Sequence, residues 1–105
     1  MGDVFRPDGS GELQEKTKRK VQEPKKYRVV LHNDDYTTME FVVEVLKAVF
    51  HKSPAESHAI MLAVHKKGRG IVGLYPYDIA ATKVEQTRSM AKRHGHPLKC
   101  TLEEA

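Results

Sequence analysis

The stretch Lys26-Tyr27-Arg28-Val29-Val30-Leu31-His32-Asn33-Asp34-Asp35-Tyr36-Thr37-Thr38-Met39-Glu40 changes character twice, and those changes fix the architecture. Its first seven residues are β-branched, aromatic or long, with Tyr27, Val29 and Leu31 on one face, which predicts a strand. Asn33-Asp34-Asp35 favours a turn. Thr37 and Glu40 then have the spacing of a capping box, with Thr37 as N-cap and Glu40 reaching back to its amide. A helix is expected from about Thr38 to Phe50. Met39, Val42, Val43, Leu46 and Val49 recur at helical spacing, and Phe41, Val45 and Ala48 make a second side apolar, so this helix packs on more than one face.

Ser53-Pro54-Ala55-Glu56 repeats the start signal with proline at the first helical position, and Gly68 is placed to end the segment. The second helix is expected from about Pro54 to Lys67. Arg69 to Tyr75 reads as a short central strand. Pro76 opens a third helix carrying Ile79, Ala80, Val84, Thr87 and Ala91 up to Gly95, and a last strand covers about Leu98 to Leu102. The order β-α-α-β-α-β implies an α+β fold, a three-stranded sheet packed with three helices.

Residues 1 to about 25 hold Gly2, Pro7, Gly9, Gly11 and Pro24 among charged side chains and little to bury. They are read as a flexible N-terminal extension before a domain over 26–105. A foldable part of about 80 residues supports one small core and leaves no room for a separate catalytic domain. Apolar runs are broken by charge, as in Phe41-Val42-Val43-Glu44-Val45-Leu46-Lys47, so no membrane span is expected. The N-terminus lacks a basic region leading into an apolar run, and Cys100 is the single cysteine; both favour a cytoplasmic address. Cys100 itself is read as a small buried side chain on a strand. The formal charge is +4, yet residues 1–26 hold seven basic and five acidic side chains and the rest eleven and nine. Mixed signs argue for a solvated surface and against a nucleic-acid stripe.

Two features carry candidate chemistry. Asn33, Asp34 and Asp35 stand where a strand gives way to a helix, beside Met39 and Val42. Turn-making alone accounts for the three polar residues, but oxygens at a rim over aliphatic carbon also suit a ligand with a positive head and a greasy tail. His65, near the end of the second helix, remains unassigned on its own.

Taken together, Asn33-Asp34-Asp35-Tyr36-Thr37-Thr38-Met39-Glu40-Phe41-Val42, Leu62-Ala63-Val64-His65-Lys66-Lys67-Gly68, Thr82-Lys83-Val84 and His96-Pro97-Leu98-Lys99-Cys100-Thr101-Leu102-Glu103 resemble the ClpS family in order and spacing over about residues 25–105. Thr38 stands where the commonest family form has proline. The resemblance implies a non-catalytic protease adaptor, an N-degron receptor for proteins beginning with Leu, Phe, Tyr or Trp. It implies that Asn33, Asp34 and His65 accept hydrogen bonds from the substrate's α-ammonium and that Asp35 borders the exit toward the second residue. Thr37, Met39, Val42, Met61, Val64 and Leu98 would line the side-chain pocket. The implied partner is the N-terminal domain of a ClpA-like AAA+ unfoldase, with Asp78 and Lys83 as docking residues and the extension acting in delivery. A monomer with no cofactor or metal is expected, binding neither nucleic acid nor membrane.

Two other readings are weaker. Six histidines invite a metal- or histidine-dependent hydrolase, but no two form the i, i+4 pair backed by a carboxylate that a helical zinc site needs. The element order also resembles a ribosomal stalk domain, but order is poor evidence of function, and basic residues interleaved with exposed aromatics are missing.

Overall fold

The structure, a computed structural model, describes residues 24–105. The extension expected at the N-terminus falls almost wholly on residues 1–23, outside the described residues. Six elements follow: β1 (Lys26–His32), α1 (Met39–Ala48), α2 (Pro54–Lys67), β2 (Arg69–Pro76), α3 (Tyr77–Arg93) and β3 (Lys99–Glu104). The expected α+β order is thus observed. The strands form one antiparallel sheet in the order β2-β1-β3, so β1 is central and β2 lies at an edge, contrary to the central place expected for it. Alternation tells which face of a strand is buried; it does not tell which strand has two neighbours.

Val29 and Leu31 of β1 are fully buried and join Phe41, Val42, Val45 and Leu46 of α1, Met61 and Val64 of α2 and Ala80, Val84 and Ala91 of α3 in one core. Val30 points to the other side of the sheet, yet it is also buried. Elsewhere across the sheet Arg69 of β2 forks onto Glu103 of β3 at 2.9 Å, and His32 of β1 meets Thr101 of β3 at 2.8 Å. A bulge places Val72 between Gly73, opposite Val29, and Ile71, opposite Val30, which turns Val72 into the core. Cys100 is buried on β3, as expected. Among the described residues no helix is long and apolar enough to cross a membrane.

The second helix obeys its signals at both ends. Ser53 Oγ accepts from Glu56 N and Glu56 Oε1 accepts from Ser53 N, each at 3.1 Å, and Gly68 closes the helix at φ +88°. Two residues on, Gly70 lets α2 approach β2 closely: a Cβ there would stand 2.7 Å from Val64 Cγ2. Gly70→Ala is therefore expected to destabilise the domain by about 1 to 3 kcal/mol through overpacking. Denaturant unfolding would check this; an unchanged midpoint would mean that Val64 yields freely.

Candidate functional site

A cleft of about 530 Å3 opens where the turn after β1 meets the ends of α1 and α2, lined by Asn33 to Glu40, Val42, Met61, Val64 and His65. The backbone brings these distant segments together. Gly68, at the left-handed end of α2, accepts a hydrogen bond from Asn33 N at 2.9 Å, which ties the turn to the helix end that carries His65.

Asp34 organises the turn. Its Oδ1 accepts from Tyr36 N at 2.8 Å and Thr37 N at 2.7 Å, while its Oδ2 accepts from the Thr37 hydroxyl at 2.7 Å. A carboxylate has roughly four lone-pair sites, so one on Oδ2 is not taken up by these three bonds. Partial burial pushes the Asp34 carboxyl up, but the Thr37 hydroxyl, the Thr37 and Tyr36 amides and nearby His96 outweigh it and hold the group below the usual carboxylate range. Asp34 thus stays ionised throughout the neutral range.

These bonds correct the helix start. Thr37 does not cap α1, because its hydroxyl is committed to Asp34. Thr38 takes the N-cap position one residue later, its Oγ1 accepting from Phe41 N at 3.1 Å, and Glu40 makes no box. Thr38 side-chain capping fulfils a role for which proline has no hydroxyl.

The walls grade from wet to dry. Asn33, Asp35 and His65 are exposed at the rim, Thr37 is half-buried, and Val42, Met61 and Val64 are buried in the depth. Met39 stands at the mouth with 43% of its surface exposed. Leu98, expected in the same wall, does not line the cleft. It is buried in the core just before β3 begins. Tyr36, Thr38 and Glu40 line the cleft although sequence reasoning assigns them no role there; their place between Asn33 and Val42 is the available signal.

His96 is a further residue that the sequence does not single out. Gly95 at φ +75° lets His96 N donate to Ala91 O at 2.9 Å, and the imidazole stacks on Phe41 at 4.2 Å between ring centroids. His94 leans on the same ring at 5.6 Å. Among the described residues no three His, Cys, Asp or Glu side chains group as a metal site would.

Asp78 and Lys83 lie apart from the cleft, sharing a shallow groove on α3 with Ile79, Thr82 and Gln86. Asp78 is exposed. Lys83 is half-buried, its Nζ donating to Val49 O at 2.8 Å just past α1 and lying over the Phe50 ring. Lys83 therefore has a structural task, closing the end of α1.

Fold and cleft define a small α+β domain with a polar-rimmed, apolar-floored cavity joining strand end, helix start and helix end. The family model for the ATP-dependent Clp protease adaptor protein ClpS matches residues 22–101. An ATP-dependent Clp protease adapter protein ClpS of Clostridium acetobutylicum is 56% identical over 85% of this chain and 88% of its own length. The corresponding protein of Shewanella piezotolerans is 46% identical over 97% of this chain and all of its own. The solved structure of Agrobacterium tumefaciens ClpS2 bound to L-phenylalaninamide superposes with a TM-score of 0.77 at 42% identity, covering 79% of this chain and all of that one. The chain belongs to the ClpS family of Clp protease adaptors.

Proposed function

We propose that this adaptor captures proteins whose first residue is Leu, Phe, Tyr or Trp and delivers them to a ClpA-like AAA+ unfoldase for degradation by the Clp protease. The observation that carries the reading is that an amide, a carboxylate and an imidazole line the same cleft as buried Val42, Met61 and Val64. An α-ammonium has three donors and no acceptor, and Asn33, the open site on Asp34 Oδ2 and a neutral His65 ring nitrogen supply three acceptors. The first side chain then enters against Thr37, Met39, Val42, Met61 and Val64, while Asp35 borders the way out for the second residue. L-Phenylalaninamide, bound by the Agrobacterium relative, has this combination of free ammonium and bulky side chain. A residue inside a chain has no ammonium, so the cleft reads only termini.

The role is one of binding, and no group in the cleft is assigned a catalytic step. We assign unfoldase docking to the α3 groove around Asp78 and Lys83, with Asp78 the exposed charge and Lys83 contributing through the surface it holds in place. We place this work in the cytoplasm, in keeping with a single, buried, unpaired cysteine. Titration with peptides that differ only in their first residue tests the capture step. Phe, Leu, Tyr and Trp should bind and Ser and Glu should not; equal binding of all six would remove the pocket from the account.

Met39 at the mouth crowds a side chain branched at its β-carbon. Met39→Ala is expected to admit N-terminal Val and Ile, shrinking the preference for Leu over Ile by about tenfold, the scale of one methylene-sized discrimination. An unchanged preference would take Met39 out of the gate. Delivery has its own test. Deleting residues 1–20 should leave peptide affinity unaltered but abolish degradation of a Leu- or Phe-initiated substrate by the assembled protease. Normal degradation would show that these residues have no part in delivery.

A further inference from the structure

The sulfur-bearing residues among those described differ sharply in exposure. Met61 is 5% exposed, Met90 is half-buried, and Cys100 is fully buried, with burial pushing its thiol up to about 11 despite the nearby Thr87 hydroxyl and Arg88. Peroxide attacks thiolates and accessible thioethers, so Cys100 presents neither a thiolate nor a surface. Met39 is 43% exposed. It is also the methionine at the mouth of the cleft, one residue after the N-cap of α1 and on the same wall as buried Val42 and Met61.

We propose that Met39 is a peroxide-sensitive modification site that sets the affinity of the cleft for apolar side chains. The inference rests on the capture reading above. Hydrogen peroxide transfers one oxygen atom to the thioether: the O–O bond breaks, an S–O bond forms, sulfur loses two electrons, and the peroxide leaves as water. The product is a methionine sulfoxide with a strong acceptor dipole where an incoming Leu or Phe needs carbon. Neighbouring Val42, Met61 and Val64 offer that dipole no donor, and the ligand side chain would cover it from water. Burial of an uncompensated polar group weakens association. The same exposure makes the site accessible to a methionine sulfoxide reductase, so the modification is reversible.

The test uses the full chain and a peptide that begins with Phe and contains no Met or Cys. Peptide mapping after graded hydrogen peroxide should find oxygen on Met39 before Met61, Met90 or Cys100. Affinity measured by fluorescence anisotropy should fall at least about tenfold once Met39 is fully converted, and should return after treatment with methionine sulfoxide reductase. In Met39→Leu the comparison is between treated and untreated protein, whatever the variant's own affinity, and the ratio should stay near one. Unchanged affinity after full conversion of Met39 would overturn the inference alone, as would earlier oxidation of Met61 or an equal loss in Met39→Leu. No binding before any treatment would sink the capture reading itself, and this inference with it.

Discussion

A peptide beginning with Phe or Leu is expected to bind, and its N-acetylated copy to lose nearly all affinity. Acetylation removes the positive charge and two of three donors while leaving the side chain untouched. Asn33, Asp34 and His65 then face an amide that cannot satisfy them, and the ionised Asp34 carboxylate loses its cationic partner while keeping only the three bonds of its own turn. Truncating one partner of a hydrogen-bonded charge pair at an interface costs about 2 to 5 kcal/mol, which is roughly tens-fold to thousands-fold in affinity. Calorimetric titration of the two peptides checks it. Equal binding would mean that the cleft reads the side chain alone and that the polar rim only shapes the turn.

The second large effect separates those two jobs of Asp34. Asp34→Ala removes three hydrogen-bond acceptances at once, from Tyr36 N, Thr37 N and the Thr37 hydroxyl, so it should lower both stability and affinity. Asp34→Asn keeps an oxygen for the two amides and lets the Thr37 hydroxyl accept from the new NH2, so the turn survives. Stability of the Asn variant should stay within about 1 kcal/mol of the parent, whereas affinity should fall about tenfold to a hundredfold, since a hydrogen bond to a charged group contributes about 1.5 to 3 kcal/mol. Parental affinity in Asp34→Asn would show that its charge is not read. Its pH behaviour follows in sign. A carboxyl held below its ordinary value contributes above the unfolded value, near 3.9, and loses that contribution only as pH falls through the lower folded one. The Asp34 carboxylate therefore keeps its charge on mild acidification, and a loss of affinity there would have to come from another group.

Much of this architecture is legible in the sequence. The second helix runs from Pro54 to Lys67 as its signals predict, because Ser53, Pro54 and Glu56 mark its start and Gly68 its end through chemistry local to the chain. The first helix begins one residue later than its sequence suggests. Thr37 and Thr38 both have a residue three positions on whose amide or side chain fits a cap, and the choice between them is made by Asp34, which takes the Thr37 hydroxyl for the turn. Strand order is not legible for β2, since its neighbours are set by which edges the helices leave open. Leu98 shows the same limit at the site: an apolar residue near a pocket in the chain belongs to the core or to the wall according to packing from elsewhere. Lys83 has the sequence context of a solvated helix residue, and only the return of α1 past Val49 reveals its carbonyl partner. His96 escapes sequence reasoning for the converse reason, because its stack on Phe41 joins residues far apart in the chain.

The measurement that tests the central claim most directly is an amide-resolved NMR titration of the full chain with a Phe-initiated peptide. Chemical-shift changes should concentrate at Asn33 to Val42 and at Met61 to Gly68, with the outer face of the sheet around Ile71 and Thr101 and the α3 groove around Asp78 left unmoved. Shifts centred on either of those surfaces, with the turn after β1 silent, would contradict the assignment of the cleft as the receptor for N-terminal residues.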